Sequence, residues 1–162
     1  MFDFKPKTDA DAATAWADLL SAVDGVTSSE RDPIANMANV ASLLWELIPD
    51  LNWAGFYRMI DGELVLGPFQ GRAACIRIAL GAGVCGTAAA TGETQLVEDV
   101  HAFPGHIACD AASASELVVP IVIAGRVEAV LDLDSPTLAR FTAEDAAGAE
   151  TLCALLAERL AG

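Results

Sequence analysis

Three cysteines, Cys75, Cys85 and Cys109, follow one another at separations of 10 and 24 residues, and two histidines, His101 and His106, stand just ahead of the last. Thiols grouped in this way support redox cycling, metal ligation or nucleophilic attack. Cys109, in FPGHIACD, lies in the least periodic part of the chain. A thiol held on such a loop can reach a substrate. Cys85, in GVCGT, lies next to glycine and ahead of a predicted helix. Exposed amides and the positive helix end there favour the thiolate, which lowers the pKa below the free value of about 8.5. Its plain alternative is a small side chain tolerated in a tight turn. Cys75 alternates with Ile76 and Ile78 in a candidate strand, where packing is an equal reading. Cys153 sits on the apolar stripe of a predicted helix and reads as an inert, buried thiol.

Two further chemistries compete for these residues. His101, His106 and Cys109, with Cys75 or Cys85, would make four zinc ligands, but no CxxC knuckle or HExxH element accompanies them. A Cys-His hydrolase would need an oxyanion hole, and no residue pattern marks one. Carboxylates add a second clue. Asp132 and Asp134, two apart on a predicted strand, point to one side, and Glu116 begins the strand before it. A solvated strand face explains them equally well. If instead the loop carrying Cys109 covers that face, like charges raise at least one carboxyl pKa, giving a group able to bind an ammonium or deliver a proton. Trp53 and Tyr57, four apart, share a strand face and would form either core or an apolar wall for a small ligand.

The elements that must position these groups are legible in outline. Residues 13 to 24 form a first helix through Trp16, Leu19, Leu20 and Val23. A second follows a capping box at Thr27 and Glu30, with Ile34, Met37, Ala38, Ala41, Leu44 and Ile48 at helical spacing up to Pro49. WAGFYRM and ELVLGPF flank Asp61-Gly62 as a hairpin, and ACIRIAL follows as a further strand. Residues 81 to 92 run from a glycine loop into a short helix that stops at Gly92, and 94 to 100 form a brief strand. ELVVPIVI and RVEAVLDLD make a second hairpin through Ala124-Gly125, with a bulge expected at Pro120. Val127, Ala129, Leu131 and Leu133 should share one face; Glu128, Val130, Asp132 and Asp134 the other. Thr142 and Asp145 cap a last helix, stapled by Phe141 and striped by Ala149, Leu152, Cys153, Leu156 and Leu160. The pattern predicts an α+β fold: a mostly antiparallel central sheet of five or six strands flanked by N- and C-terminal helices, with residues 1–162 as a single domain.

Composition narrows the function classes. At 162 residues the chain can build a core without disulfides as staples. Nine basic residues against 23 acidic ones give a net charge of -14, which repels phosphate backbones and argues against nucleic acid as a partner. Leu117 to Leu131 is interrupted by Pro120, Gly125, Arg126 and Glu128, so no membrane span is expected. The aspartates of MFDFKPKTDADAA do not suit a signal peptide, and a cytoplasmic, reducing location follows as the expectation.

The runs GPFQGRAAC, GVCGTAAATGETQLVEDVHAFPGHIACDAASASELVVPI and VLDLDS closely resemble the free methionine-(R)-sulfoxide reductases, which are built on a GAF domain. The similarity spans most of residues 30 to 160. It implies a GAF-like catalytic domain that reduces free L-methionine-(R)-sulfoxide without cofactor or metal. By resemblance Cys109 matches the nucleophile, Cys75 the resolving cysteine and Cys85 a third cysteine used in resolution or recycling. Glu116, Asp132 and Asp134 match carboxylates around the substrate, with Glu116 the first choice as proton donor and Asp134 the second. Trp53 and Tyr57 match aromatic pocket residues. A thioredoxin-like reductant and a homodimer are further implications. The rival readings are a GAF-like domain that senses a small molecule without catalysis, and a redox sensor that shares the thiols without turnover.

Overall fold

The computed structural model describes residues 11–105 and 111–161. Cys109 and His106 therefore lie outside the described residues. Along the chain come α1 (Ala12–Thr27), α2 (Pro33–Leu47), β1 (Trp53–Ile60), β2 (Glu63–Gly71), β3 (Arg77–Ile78), α3 (Gly83–Thr91) and β4 (Gln95–Val97). After a 3-10 turn at Val100–Ala102 follow β5 (Ser115–Ile123), β6 (Arg126–Ser135) and α4 (Ala143–Leu160). The strands make one sheet in the order β3-β2-β1-β6-β5-β4, antiparallel at every pairing. The α+β class read from the sequence is the observed one.

Both predicted hairpins close through two residues of positive φ, Asp61 and Gly62 in one and Ala124 and Gly125 in the other. That geometry matches the right-handed twist of the flanking strands. On one face of the sheet, Phe56, Leu117, Ile121, Leu131 and Leu133 pack under α1, α2 and α4. On the other face, Trp53, Tyr57, Leu64, Val118 and Val130 pack with Val84, Cys85 and Ala88 of the short helix α3. Among the described residues no helix is long and apolar enough to cross a membrane.

Four local expectations are corrected. Helix α2 is capped by Asp32, whose side chain accepts from the Ala35 amide, because Pro33 presets the first helical residue. Thr27 instead ends α1, its hydroxyl bonded to the Val23 carbonyl. The buried stripe of α2 runs through Met37, Val40, Ala41, Leu43, Leu44 and Leu47, leaving Ile34 and Ala38 exposed. The strand expected over ACIRIAL shrinks to Arg77–Ile78, since that segment pairs only along the end of β2. The irregularity expected at Pro120 lies between Ile121 and Val122, whose partners are Ala129 and Val127. Glu128 is thus an extra residue on β6, and it turns Val127 onto the α3 face, away from Ala129, Leu131 and Leu133.

One polar knot ties the helical layer together. Asp145 completes the predicted capping box with Thr142, accepts from the Trp16 indole at 2.9 Å and pairs with Arg140 at 3.2 Å. Arg140 also donates to the Pro49 carbonyl through Nε and Nη2. Beside the knot, a Cβ on Gly148 would lie 2.3 Å from the Trp16 ring. Gly148→Val should therefore destabilise the fold by about 1–3 kcal/mol through overpacking, read as a lower midpoint in urea unfolding.

Candidate active site

Strand register assembles the polar residues of the α3 face. Between β5 and β6, Glu116 faces Asp134 and Val118 faces Asp132. Across β6, β1 sets Trp53 opposite Asp134 and Gly55 opposite Asp132. Glu116, Asp132, Asp134, Trp53 and Tyr57 thus share one side of the sheet, where spacing alone had paired Asp132 with Asp134 and Trp53 with Tyr57. The covering element is α3. Its backbone folds tightly over the sheet edge, with the Gly81 amide donating to the Gly86 carbonyl, and a Cβ on Gly86 would lie 2.4 Å from the Ala79 carbonyl oxygen.

The carboxyls are not on a solvated face. Glu116 is 7% exposed and Asp132 6%. Asp134 is half-buried at the end of β6. Burial pushes the Glu116 carboxyl well above the ordinary carboxylate range, and the charges of Asp132 and Asp134 push it further. Asp132 is raised to about 7 by burial, against the opposing effect of hydrogen bonds from Cys85 and Glu116. Asp132 Oδ1 is buried without a hydrogen-bond partner among the described residues.

Cys85 corrects the sequence reading. It is the third residue of α3, buried, with its thiol donating to Glu116 Oε1 at 3.9 Å. Burial raises its pKa well above the ordinary thiol value, and the charges of Asp132 and Glu116 raise it further. The helix terminus does not win: desolvation and two neighbouring carboxylates oppose the thiolate more strongly than the end of a nine-residue helix favours it.

Trp53 and Tyr57 form a stack, ring centroids 5.8 Å apart, buried in the α3-side core. Sequence reasoning missed its third member. Phe69 also stacks on Trp53, at 5.2 Å. Its parity along β2 differs from that of Leu64 and Leu66, but an extra residue in β2 opposite the step from Gly55 to Tyr57 turns it onto the same face. Gly67-Pro68 was the available signal, since both residues mark irregular strands. Gly55 has its own necessity: a Cβ there would lie 2.4 Å from Phe69 Cβ. The Trp53 indole is held by the Arg72 carbonyl at 3.0 Å.

The remaining candidates separate. Cys75 is half-buried, packs against the α3-side core and is disulfide-bonded. Cys85 and Cys153 are free. Cys153 is inert as expected: it is buried on α4 with its thiol toward the Val119 carbonyl, and burial raises its pKa. His101 is exposed in the 3-10 turn and is not among the clustered ligands of the described residues.

The sequence profile of the GAF domain matches residues 32–161. The free methionine-R-sulfoxide reductase of Escherichia coli K12 is 51% identical over 146 residues, covering 90% of this chain and 88% of its own length. The chain belongs to the free methionine-R-sulfoxide reductase family of GAF domains. The Saccharomyces cerevisiae reductase of that name is 48% identical over 124 residues, 72% of this chain and 69% of its own. Among solved structures, the free methionine-R-sulfoxide reductase of Neisseria meningitidis in complex with its substrate superposes with a TM-score of 0.93 at 42% identity. It covers 98% of this chain and 96% of its own. In the GAF chain described here, the buried polar cluster lies between the central strands and α3.

Asp132 makes this site costly to the fold. Its pKa is higher folded than unfolded, so between about pH 4 and pH 7 the native state keeps a proton that the unfolded chain has lost. Stability therefore falls as pH rises through that window. Asp132→Asn should reduce the slope to the part that Glu116 contributes and raise neutral-pH stability by on the order of 1–4 kcal/mol, checked by urea unfolding at pH 5 and pH 8.

Proposed function

We propose that this protein reduces free L-methionine-(R)-sulfoxide to methionine through Cys109, as a single catalytic domain acting in the cytoplasm. The observation that carries the reading is the pair of buried carboxyl groups, Glu116 and Asp132, beside the Trp53–Tyr57 wall in a member of the reductase family. The two carboxyls are placed for different tasks. Glu116, pushed up by burial and by two acidic neighbours, is suited to donate to the departing oxygen. Asp132 offers its unpaired Oδ1 to the substrate ammonium. Asp134, at the half-buried end of β6, is the second choice for either task.

The substrate carboxylate is received by backbone amides in the first turn of α3, whose N-cap, Ala82, supplies no side-chain cap. The stacked rings of Tyr57, Trp53 and Phe69 hold the apolar part of the side chain. Selectivity for the free amino acid follows from desolvation. A peptide-bound sulfoxide lacks the ammonium and the carboxylate, leaving these groups unpaired at about 1–3 kcal/mol each.

In the chemical step the Cys109 thiolate attacks sulfur while Glu116 protonates the oxygen. Methionine leaves, and the oxygen remains on Cys109 as sulfenic acid. Cys75 condenses with it, releasing water and forming a disulfide; the disulfide bonding of Cys75 supports this role. Two electrons from a thioredoxin-like dithiol restore both thiols. Cys85, buried and free, lines the pocket in this scheme rather than resolving the sulfenic acid.

NADPH-coupled turnover with thioredoxin and thioredoxin reductase should show strong preference for the free R sulfoxide over the S form and over a peptide-bound sulfoxide. Comparable rates on all three would refute the proposed substrate. Cys109→Ser should form no methionine even in the first turnover, whereas Cys75→Ser should form one equivalent. Glu116→Gln should lower kcat by roughly 10²–10⁴-fold.

A further inference from the structure

The reduction proposed above gives Cys85 no chemical step, yet its thiol stands in a defined relation to both buried carboxyls. The ligating atoms of Cys85, Glu116 and Asp132 all lie within 4.8 Å of one another, and all three residues are buried. Cys85 Sγ is 3.9 Å from Glu116 Oε1. A tetrahedral zinc ion, with Zn–S near 2.3 Å and Zn–O near 2.0–2.2 Å, spaces a sulfur and an oxygen ligand by about 3.5 Å. The pair needs to close by only a few tenths of an ångström. A second observation is independent of that spacing. Asp132 is 6% exposed, and its Oδ1 has no hydrogen-bond partner among the described residues. A lone pair in that position is completed by an ammonium group or by a cation.

We propose that Cys85, Glu116 and Asp132 form an inhibitory site for a borderline-soft divalent cation, zinc, which occupies the place taken by the substrate amino group. One thiolate and two carboxylate oxygens supply three ligands, and a water molecule completes the tetrahedron. Magnesium and calcium take all-oxygen shells and gain nothing from the sulfur, so the thiol sets the selectivity. Binding replaces the thiol proton and one carboxyl proton, both released to solvent, by one ion whose charge offsets the crowded acidic groups. The half-buried Asp134, facing Glu116 across β5 and β6, adds a further negative charge beside the ion. Zinc and free methionine would then exclude one another.

Cadmium provides a spectroscopic stand-in, since thiolate-to-cadmium charge transfer absorbs in the ultraviolet. The test uses the full chain carrying Cys75→Ser and Cys109→Ser, whose remaining thiols are Cys85 and Cys153. This form is catalytically silent, so the cadmium band is read apart from the proposed reduction, and only the methionine arm rests on the substrate placement. Cadmium should produce a band that saturates at one equivalent, disappears on adding zinc and is unaffected by millimolar magnesium. Adding Cys153→Ala should leave the band intact, while Cys85→Ala should abolish it. Glu116→Gln, which keeps the thiol and the side-chain shape, should weaken binding by roughly 10–100-fold. Saturating free methionine should displace the metal. Absence of the band, its survival in Cys85→Ala, or indifference to methionine would each overturn the proposal.

Discussion

Glu116 and Asp132 project from adjacent strands into one buried space, and ionising both there would cost several kcal/mol per ion. The site answers that constraint by pushing both carboxyl pKa values up, toward the protonated form. Every neighbour follows from it. Cys85 is driven toward the thiol form, and Tyr57 likewise stays a phenol, its pKa raised by burial and by Asp132, Cys85, Asp134 and Glu116. Stability sacrificed on this face has to be made good elsewhere, and the opposite face supplies it. There Leu19, Leu44, Leu117, Leu131, Leu133, Leu152 and Leu156 are sealed between the sheet and three helices. The sheet thus separates a conventional apolar core from a thin polar cover made by α3.

The parts of this arrangement that depend on near neighbours in sequence were legible. Asp61-Gly62 and Ala124-Gly125 announce their hairpins because positive φ is a property of two residues at a time. Thr142 and Asp145 announce α4 because a capping box spans one turn. Spacing alone also put Asp132 with Asp134 and Trp53 with Tyr57. The failures came where distant segments decide. Cys85 reads as an activated thiol beside a helix terminus, yet residues 31 and 47 positions later bury it among carboxyls. Phe69 reads as facing away from Leu66 until the bulge in β2 is counted, and Val127 is misplaced by the extra Glu128 in the same way. Alternation is a local rule, and a single inserted residue inverts it.

Those two bulges have a shared effect on the site. The one in β2 delivers Phe69 to the Trp53 ring, where Gly55 leaves room for it. The one in β6 turns Val127 beneath the end of α3, where it lies 3.9 Å from a Cβ built on Gly92. The α3 face therefore gains two apolar side chains that regular strands would have directed into the helical layer. Phe69 stands in the cross-strand row of Asp132, and Val127 lies further along β6.

The Trp16–Asp145 hydrogen bond joins residues 129 positions apart. Asp145 belongs to α4, whose Leu152 and Leu156 also complete the helical layer. On a ribosome, α1 can meet α2 at once, but its α4 partner comes only with this late segment. The hairpins of β1–β2 and β5–β6 can pair earlier, because their partners are adjacent in sequence. During synthesis the β5 part of the sheet would thus stand for a time without the helix that covers it. Apolar surface left open in this way is what makes a partly synthesised chain prone to association, and α4 is the element that closes it.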